Sequence, residues 1–321
     1  MTSCDESDNV RCPIFGGPPI KPFIVATASI VAGIALPGLA RALTPEPVIA
    51  TRLIEKQPAA TESYLAYSQN SSRHRDRFNL YVRPEGQPRF RANPRRTIAF
   101  AGMIDGTTLA YYRRRLSDTT YDIKLFDVVS KTHSGLPAGV NTSRNERTPA
   151  VSIDWLLFER SRTRFSPGQI LLASRTSSEV RTLEPRSDAY VQVGGLAGNY
   201  AVWTRCGRLS HCQTWRYDIA AQTKTRLANP AGRSQFAASV LADGTTYYAE
   251  SSTILCRRDK TVRFFQQPLV GSRELLAKLG RGKDTALTSP ASLTGGGVDL
   301  FFDRFTNNCA SSDIYKVRIG P

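Results

Sequence analysis

Arginine is the residue type whose number and spacing most suggest chemistry in this sequence. The chain carries 34 arginines and nine lysines against 27 acidic residues, giving a formal net charge of +16 at pH 7. Because a guanidinium fork matches the oxygens of phosphate and carboxylate groups, short arginine runs are candidate sites for an anionic polymer or a protein partner. These runs contain Arg73, Arg75, Arg77, Arg113, Arg114, Arg115, Arg160, Arg162, Arg164, Arg205 and Arg208. Two alternatives stay open: an arginine-rich genome that sets the charge, and ordinary solvated loops.

Residues that commonly carry catalysis do not converge in the sequence. His74, His133 and His211 fall in separate segments, and there is no nucleophile elbow, His-Glu-x-x-His motif or phosphate-binding loop. Asp154 and Asp243 sit in predicted turns, where an Asp side chain usually bonds the local backbone. We therefore predict no catalytic residue, no metal ligand and no cofactor, although carboxylates lining a central channel would reopen the question.

The cysteines point to an oxidising compartment. Four of the six cysteines follow the N-terminal region, namely Cys206, Cys212, Cys256 and Cys309. An even number in an exported chain suggests disulfides, and four cysteines allow three pairings. Cys206 and Cys212 flank a short polar loop between two aromatic strands, so a hairpin-closing bond is the first choice, with Cys256 and Cys309 as the second pair. A zinc site is the less favoured alternative because there is no Cys-x-x-Cys spacing.

The N-terminal region contains an apolar run of nineteen uncharged residues, Pro22 to Ala40. As a helix it would measure about 28 Å, close to the ~30 Å hydrocarbon core of a bilayer. Small residues at Ala40 and Ala42 suit a signal-peptide cleavage site. We therefore predict that residues 1–42 are a signal peptide or an N-terminal membrane anchor. Residues 43–321 would then form an extracytoplasmic domain.

An aromatic segment recurs at a nearly constant interval along the rest of the chain. The copies begin at Tyr64, Leu109, Trp155, Tyr200, Thr246 and Asp299, so that successive starts differ by 45, 46, 45, 46 and 53 residues. A period of about 40 to 50 residues is typical of β-propeller blades. A strand of small residues and a tight turn precede most copies, as at Asp105-Gly106.

The remaining strands complete this plan. A third strand is predicted in each unit, including Thr253–Cys256 in the fifth, and a fourth is predicted at Thr223–Leu227. Val48–Leu53 would supply the outer strand that the sixth unit lacks, which closes the ring and removes exposed edges. Ser272–Gly280 has a serine N-cap and a glycine stop, so the sequence predicts a short helix inserted between units five and six.

Two of the units carry a resemblance to a known family. Asp105-Gly-Thr-Thr-Leu-Ala-Tyr111 with Tyr121-Asp-Ile-Lys-Leu-Phe-Asp127, and Ile153–Phe158 with Gln169–Leu172, resemble TolB-type, WD40-like β-propeller repeats. The resemblance covers residues 48–319 and implies an all-β, six-bladed propeller. It implies protein partners as readily as a polyanion.

These observations lead to one expected role and one rival. We expect an exported, monomeric, non-catalytic propeller that acts as a binding or scaffold module at the cell envelope, with membrane contact only through residues 22–40 if the leader stays uncleaved. Few aromatics interleave with the arginines, which argues against nucleic acid. The rival is a propeller hydrolase or lyase that acts on cell-wall or sugar substrates at the central channel.

Overall fold

The computed structural model describes residues 43–163, 166–207, 211–253, 261–280, 284–306 and 311–320. Within these ranges the chain forms 24 β-strands and no helix. The strands make six four-stranded antiparallel sheets, which are the blades of the propeller. The all-β, six-bladed fold predicted from the sequence is confirmed.

Strand β1 spans Glu46–Ile49, ahead of the first blade. Blade I consists of β2 (Glu55–Ala60), β3 (Tyr64–Asn70), β4 (Phe78–Pro84) and β5 (Phe90–Arg91). Blade II consists of β6 (Thr97–Asp105), β7 (Thr108–Arg115), β8 (Asp122–Asp127) and β9 (Thr132–Ser134). Blade III consists of β10 (Asn145–Val151), β11 (Trp155–Ser161), β12 (Gly168–Ser174) and β13 (Val180–Glu184).

The second half of the ring repeats this arrangement. Blade IV consists of β14 (Tyr190–Ala197), β15 (Tyr200–Cys206), β16 (Cys212–Asp218) and β17 (Thr223–Arg226). Blade V consists of β18 (Ser234–Val240), β19 (Thr246–Ser251), β20 (Val262–Gln267) and β21 (Glu274–Leu279). Blade VI consists of β22 (Thr288–Ser292), β23 (Val298–Thr306) and β24 (Ser311–Ile319), with β1 as its outer strand. The aromatic segments are the second strands of the six blades, as the repeat predicts.

The ring closes between the two ends of the described chain. Strand β1 pairs antiparallel with β24, with Glu46 opposite Lys316 and Ile49 opposite Ile314. The predicted closure is therefore present, but the strand ends at Ile49, so residues 50–53 lie outside it. Asp303 strengthens the same junction, because its carboxylate accepts a hydrogen bond from the backbone N–H of Gln57 at 3.1 Å.

The hydrophobic core lies between adjacent blades. Ala99 and Leu109 of blade II pack against Leu80 and Val82 of blade I. In the same way Phe264 of blade V packs against Phe302 of blade VI. Small residues allow the inner strands to approach: a Cβ added to Gly102 would lie 2.0 Å from the carbonyl oxygen of Pro149 in blade III. The tight turns between the first two strands use glycines at positive φ, such as Gly106 at 54°.

Blade V corrects two predictions. The segment predicted as a helix at Ser272–Gly280 contains strand β21, and the third strand of this blade is β20 rather than Thr253–Cys256, of which residues 254–256 lie outside the described residues. The residues of β21 are good helix formers, yet pairing with β20 buries Leu276, Ala277 and Leu279. Tertiary burial here overrides local propensity. The longer spacing in this part of the repeat coincides with a ten-residue connection, 252–261, between β19 and β20.

Residues 1–42, including the apolar run 22–40, lie outside the described residues. No helix in the described ranges is long and apolar enough to cross a membrane.

Candidate functional site

The blade topology sorts all connections onto two faces. We call the face that carries the connections between second and third strands, and between consecutive blades, the loop face. The opposite face carries the hairpins between first and second strands and between third and fourth strands, and we call it the turn face. The predicted arginines that the structure describes lie toward the loop face of their blades.

Arg73, Arg75 and Arg77 lie in the loop between β3 and β4 of blade I. All three are exposed, and the loop is folded by backbone hydrogen bonds such as that from Ser71 to the carbonyl of Arg77 at 2.8 Å. Their side chains form no ion pair or hydrogen bond with any described residue. They are free to meet a partner.

Two of the predicted arginines form ion pairs with carboxylates of the same protein. Arg160, on β11, donates to Glu146 of the neighbouring strand β10 at 2.8 Å and to the carbonyl oxygen of Val140, in the connection from blade II, at 2.9 Å. Arg205, on β15, lies 3.0 Å from Glu184. Neither guanidinium is available in the way the sequence suggested.

The remaining predicted site residues are Arg162, Arg164, Arg208 and the four cysteines. Arg162 is exposed between β11 and β12. Arg164, Arg208, Cys256 and Cys309 lie outside the described residues. Cys206 and Cys212 end the paired strands β15 and β16 and are joined by a disulfide.

Six cationic side chains line a cleft of about 550 Å³ at the loop-face end of blade II. We call it the basic cleft. Its walls are the linker from blade I, the end of β7 with the turn that follows, and the start of β8. The lining residues are Pro94, Arg95, Arg96, Thr97, Arg113, Arg114, Arg115, Leu116, Ser117, Asp118, Asp122 and Lys124.

Strand alternation divides the three consecutive arginines of β7 between the two faces of the sheet. Arg113 is paired with Ala99 on one side and Asp122 on the other, and Arg115 is paired with Thr97. Because successive side chains in a strand point to opposite faces, Arg113 and Arg115 share the cleft face. Arg114 starts from the other face, where it stands over the Tyr121 ring at 5.5 Å and donates to the carbonyl of Asp118 at 2.8 Å, although it also contributes to the cleft lining.

The cations of the basic cleft are poorly compensated. Lys124 is 3.7 Å from Asp122 across a partly exposed pair, and Asp118 accepts from the backbone of Arg115. Arg95, Arg96, Arg113 and Arg115 have no ion-pair partner among the described residues. The backbone of Arg96 is in the left-handed region at φ 61°, a conformation that is uncommon for residues other than glycine.

One titratable pair lies close enough to the cleft cations Arg113 and Lys124 to be affected by their charge. Tyr111, the cleft-face neighbour of Arg113 on β7, and His133 on β9 form a hydrogen bond of 2.7 Å. Desolvation, together with the cations of Arg113 and Lys124, lowers the pKa of His133. Burial raises the pKa of Tyr111 to about 12, against an opposing effect of Arg113.

Sequence reasoning missed Arg95, Arg96 and Lys124. The first two follow blade I in a linker between blades, and such linkers project from the same face as the loops that carry the other arginines. This topological signal was present in the repeat. Lys124 could have been assigned to the cleft face from the predicted hairpin, because strand alternation places it on the same face of the sheet as Arg113.

The turn-face mouth of the central channel has a different character. It opens into a pocket of about 480 Å³ whose walls come from the inner strands of blades I, II, IV, V and VI. Apolar and small side chains such as Met103, Leu196 and Pro290 dominate the lining, and its carboxylates are Glu62 and Asp105. Glu62 accepts two hydrogen bonds from Thr294, so it is committed to the wall.

Two buried carboxylates on second strands also have defined partners. Glu159 pairs with Arg147 at 2.5 Å, while burial raises its pKa. Asp303 accepts from Thr285, Ala286 and Leu287 as well as from Gln57. Among the described residues no group of three or more His, Cys, Asp or Glu side chains could hold a metal ion.

Comparisons with known proteins agree on the fold. No protein-family model matches the chain, and no curated protein matches it in sequence. A solved structure from Agrobacterium tumefaciens, described as a TolB, matches 84% of this chain and 92% of its own at 14% identity and a TM-score of 0.55. TolB from Acinetobacter baumannii matches 83% of this chain and 63% of its own at 15% identity and a TM-score of 0.50.

A prolyl endopeptidase also matches 82% of this chain, with 13% identity and a TM-score of 0.49. This chain spans only 42% of that enzyme's length. At such identities the likeness concerns the fold alone. The chain is a six-bladed β-propeller with the fold of TolB proteins.

Proposed function

We propose that this protein is an exported, non-catalytic β-propeller that acts as a binding or scaffold module at the cell envelope and contacts an anionic polymer or an acidic protein surface through its loop face. Residues 1–42 would serve as its signal peptide or membrane anchor. In this proposal the protein is a monomer and binds no cofactor.

The observation that carries the proposal is the set of uncompensated guanidinium groups on the loop face. Three lie in the blade I loop, four border the basic cleft, and Arg162 adds one in blade III. An isolated surface cation has little effect on the stability of the fold. In a cluster of like charges, however, the charges repel one another and raise the local electrostatic potential. A polyanion relieves this repulsion, and arginine is the cation best suited to bidentate contacts with its oxygens.

The compartment follows from two features that support export together. A disulfide at Cys206–Cys212 is stable in oxidising surroundings and rare in the cytosol of most organisms. The apolar run at residues 22–40 supplies a leader. Outside the cytosol the available polyanions are acidic polysaccharides and phosphate polymers rather than nucleic acid.

Salt-dependent retention on anionic columns tests the proposal. The full chain is loaded on polyphosphate and polygalacturonate matrices and eluted with a salt gradient. We expect the triple variant Arg113→Gln, Arg114→Gln, Arg115→Gln to elute at clearly lower salt than the parent protein, because each lost contact reduces counterion release. The matched control is Lys131→Gln, Arg226→Gln, Lys278→Gln, which removes three exposed cations that belong neither to the blade I loop nor to the basic cleft.

If the arginines of β7 bind the polymer, the two triple variants must elute at different salt concentrations. Equal elution of the parent and the loop-face variant would overturn the proposal, as would an equal effect of the control, since the latter indicates a response to net charge alone. Circular dichroism and thermal unfolding of each variant establish that the comparison is made between folded proteins.

A further inference from the structure

We propose that the basic cleft binds the dianionic phosphate group of a phosphorylated sugar or polyol. This inference rests on the proposed function, because it names the ligand class that the loop face recognises. It concerns the cleft between the blade I linker and the β7–β8 hairpin, and not the arginine loop of blade I.

The charge of the basic cleft selects a dianion. Four guanidinium groups, from Arg95, Arg96, Arg113 and Arg115, border one cleft without an ion-pair partner among the described residues. A single carboxylate would neutralise one of them and offer two oxygens. A phosphate monoester carries about −1.5 to −2 charges at pH 7 and presents three strong acceptor oxygens, so it satisfies more of these donors at once.

The positions of the cations suit a compact anion. Arg113 and Arg115 are two residues apart on β7, and their Cα atoms are therefore separated by roughly 7 Å along the strand. Their cross-strand neighbours on β6 are the small residues Ala99 and Thr97, which leave the space between the two guanidinium stems open. The hydrogen bond from the N–H of Leu116 to the carbonyl of Arg96, 3.2 Å long, ties the linker to the β7 hairpin and keeps the two pairs of arginines together.

The lining also limits what can be attached to the phosphate. A volume of about 550 Å³ falls in the ~300–1,000 Å³ range of small-molecule sites. The walls offer no exposed aromatic ring for stacking a base, since Tyr121 is buried beneath Arg114 on the opposite sheet face. Hydroxyl-rich groups such as sugars or glycerol need no such ring, which favours them over nucleotides.

Calorimetric titration of the full chain with glycerol 3-phosphate, inorganic phosphate and galacturonate tests the assignment. We expect the phosphate ligands to bind at least roughly tenfold more tightly than galacturonate, in line with the additional charge-assisted hydrogen bonds. The double variant Arg113→Gln, Arg115→Gln should weaken glycerol 3-phosphate binding by roughly tenfold or more. The charge-matched control Lys131→Gln, Lys278→Gln, which removes two exposed cations outside the cleft and outside the blade I loop, should retain the parent affinity within about twofold.

The outcomes separate this inference from the proposed function. Equal affinities of the cleft variant and the parent for glycerol 3-phosphate overturn the cleft assignment, as does galacturonate binding that matches phosphate binding. No phosphate binding by the parent also overturns it, while retention on the anionic columns would leave the loop-face proposal standing. Loss of column retention in the parent, with intact phosphate binding, would instead keep the cleft and remove the polymer-binding role.

Discussion

The Tyr111 hydroxyl and Nε2 of His133 lie 2.7 Å apart and connect the second and fourth strands of blade II. The histidine ring also packs edge-on against Phe126, with 5.2 Å between ring centroids. Arg113 and Lys124 are the cations that act on this imidazole, and together with desolvation they lower its pKa. His133 is therefore a titratable reporter of the electrostatic potential at the basic cleft.

Replacing Arg113 by Gln should raise the pKa of His133 by several tenths of a unit, because removing a neighbouring cation favours the protonated imidazole. The chain contains three histidines, so an NMR pH titration of their ring protons resolves each one, with His133→Gln supplying the assignment. Glycerol 3-phosphate added to the parent protein should raise the same pKa. Arg73→Gln serves as the control, and an unchanged His133 titration in Arg113→Gln would contradict this electrostatic link.

Asp303→Asn should destabilise the propeller by about 2–3 kcal/mol, since the carboxylate accepts from both blade VI and blade I and an amide nitrogen would face one of those donors. Equilibrium unfolding in urea measures the change. Asp243→Asn is the matched control: Asp243 is exposed, and its Oδ1 accepts from the N–H of Thr245 at 2.8 Å, which an amide oxygen can still do. Equal stability of Asp303→Asn and the parent would show that the closure does not depend on this charge.

Burial raises the pKa of Asp303 above its ordinary value of 3.8, and this fixes the sign of a pH effect. The native state binds the proton more tightly than the unfolded state, so the contribution of Asp303 to stability is greatest at low pH. This contribution to stability falls as the pH rises from the pKa of Asp303 in the unfolded state through its pKa in the folded state. Asp303→Asn should remove this component, which a comparison of unfolding free energies across that acidic range would detect.

The disulfide at Cys206–Cys212 should contribute about 2 kcal/mol, because the loop that it closes is short and chain entropy grows with loop length. The double variant Cys206→Ser, Cys212→Ser should therefore unfold at a lower urea concentration than the oxidised parent. Adding a reductant to the parent should reproduce the change, whereas reductant should not affect the double variant. Equal stability of oxidised and reduced parent protein would count against a role of this bond in holding the blade IV hairpin.

The periodicity of the sequence made the fold predictable. The second strand of each blade repeats an aromatic pattern, because its side chains are buried between neighbouring blades. Blade V shows the limit of that reasoning. Glu274–Leu279 has helical propensity, and only its pairing with β20 and its burial against blade VI make it a strand. A local sequence pattern contains no information about such contacts with distant strands.

The site was less predictable than the fold for a similar reason. The sequence marks Arg113, Arg114 and Arg115 as one run, but the pleat places Arg114 over Tyr121 on one face of the sheet and Arg113 and Arg115 on the opposite face. It also counts Arg160 with the free cations, although Glu146, distant by 14 positions, neutralises it. Which arginines remain uncompensated depends on cross-strand register, and register requires the paired strands to be known.

The inner strands of blades II and III meet at Gly102, and this contact tests how closely the blades are packed. A Cβ at this position would lie 2.0 Å from the carbonyl oxygen of Pro149 and 2.7 Å from that of Ala110. Both atoms belong to paired strands and cannot move away cheaply, so Gly102→Ala should destabilise the protein by about 3 kcal/mol. Gly135→Ala is the control because its Cβ meets open space at an ordinary backbone conformation, and it should change stability by less than about 0.5 kcal/mol. Urea unfolding distinguishes the two variants, and equal midpoints would mean that blades II and III are not held at this separation in solution.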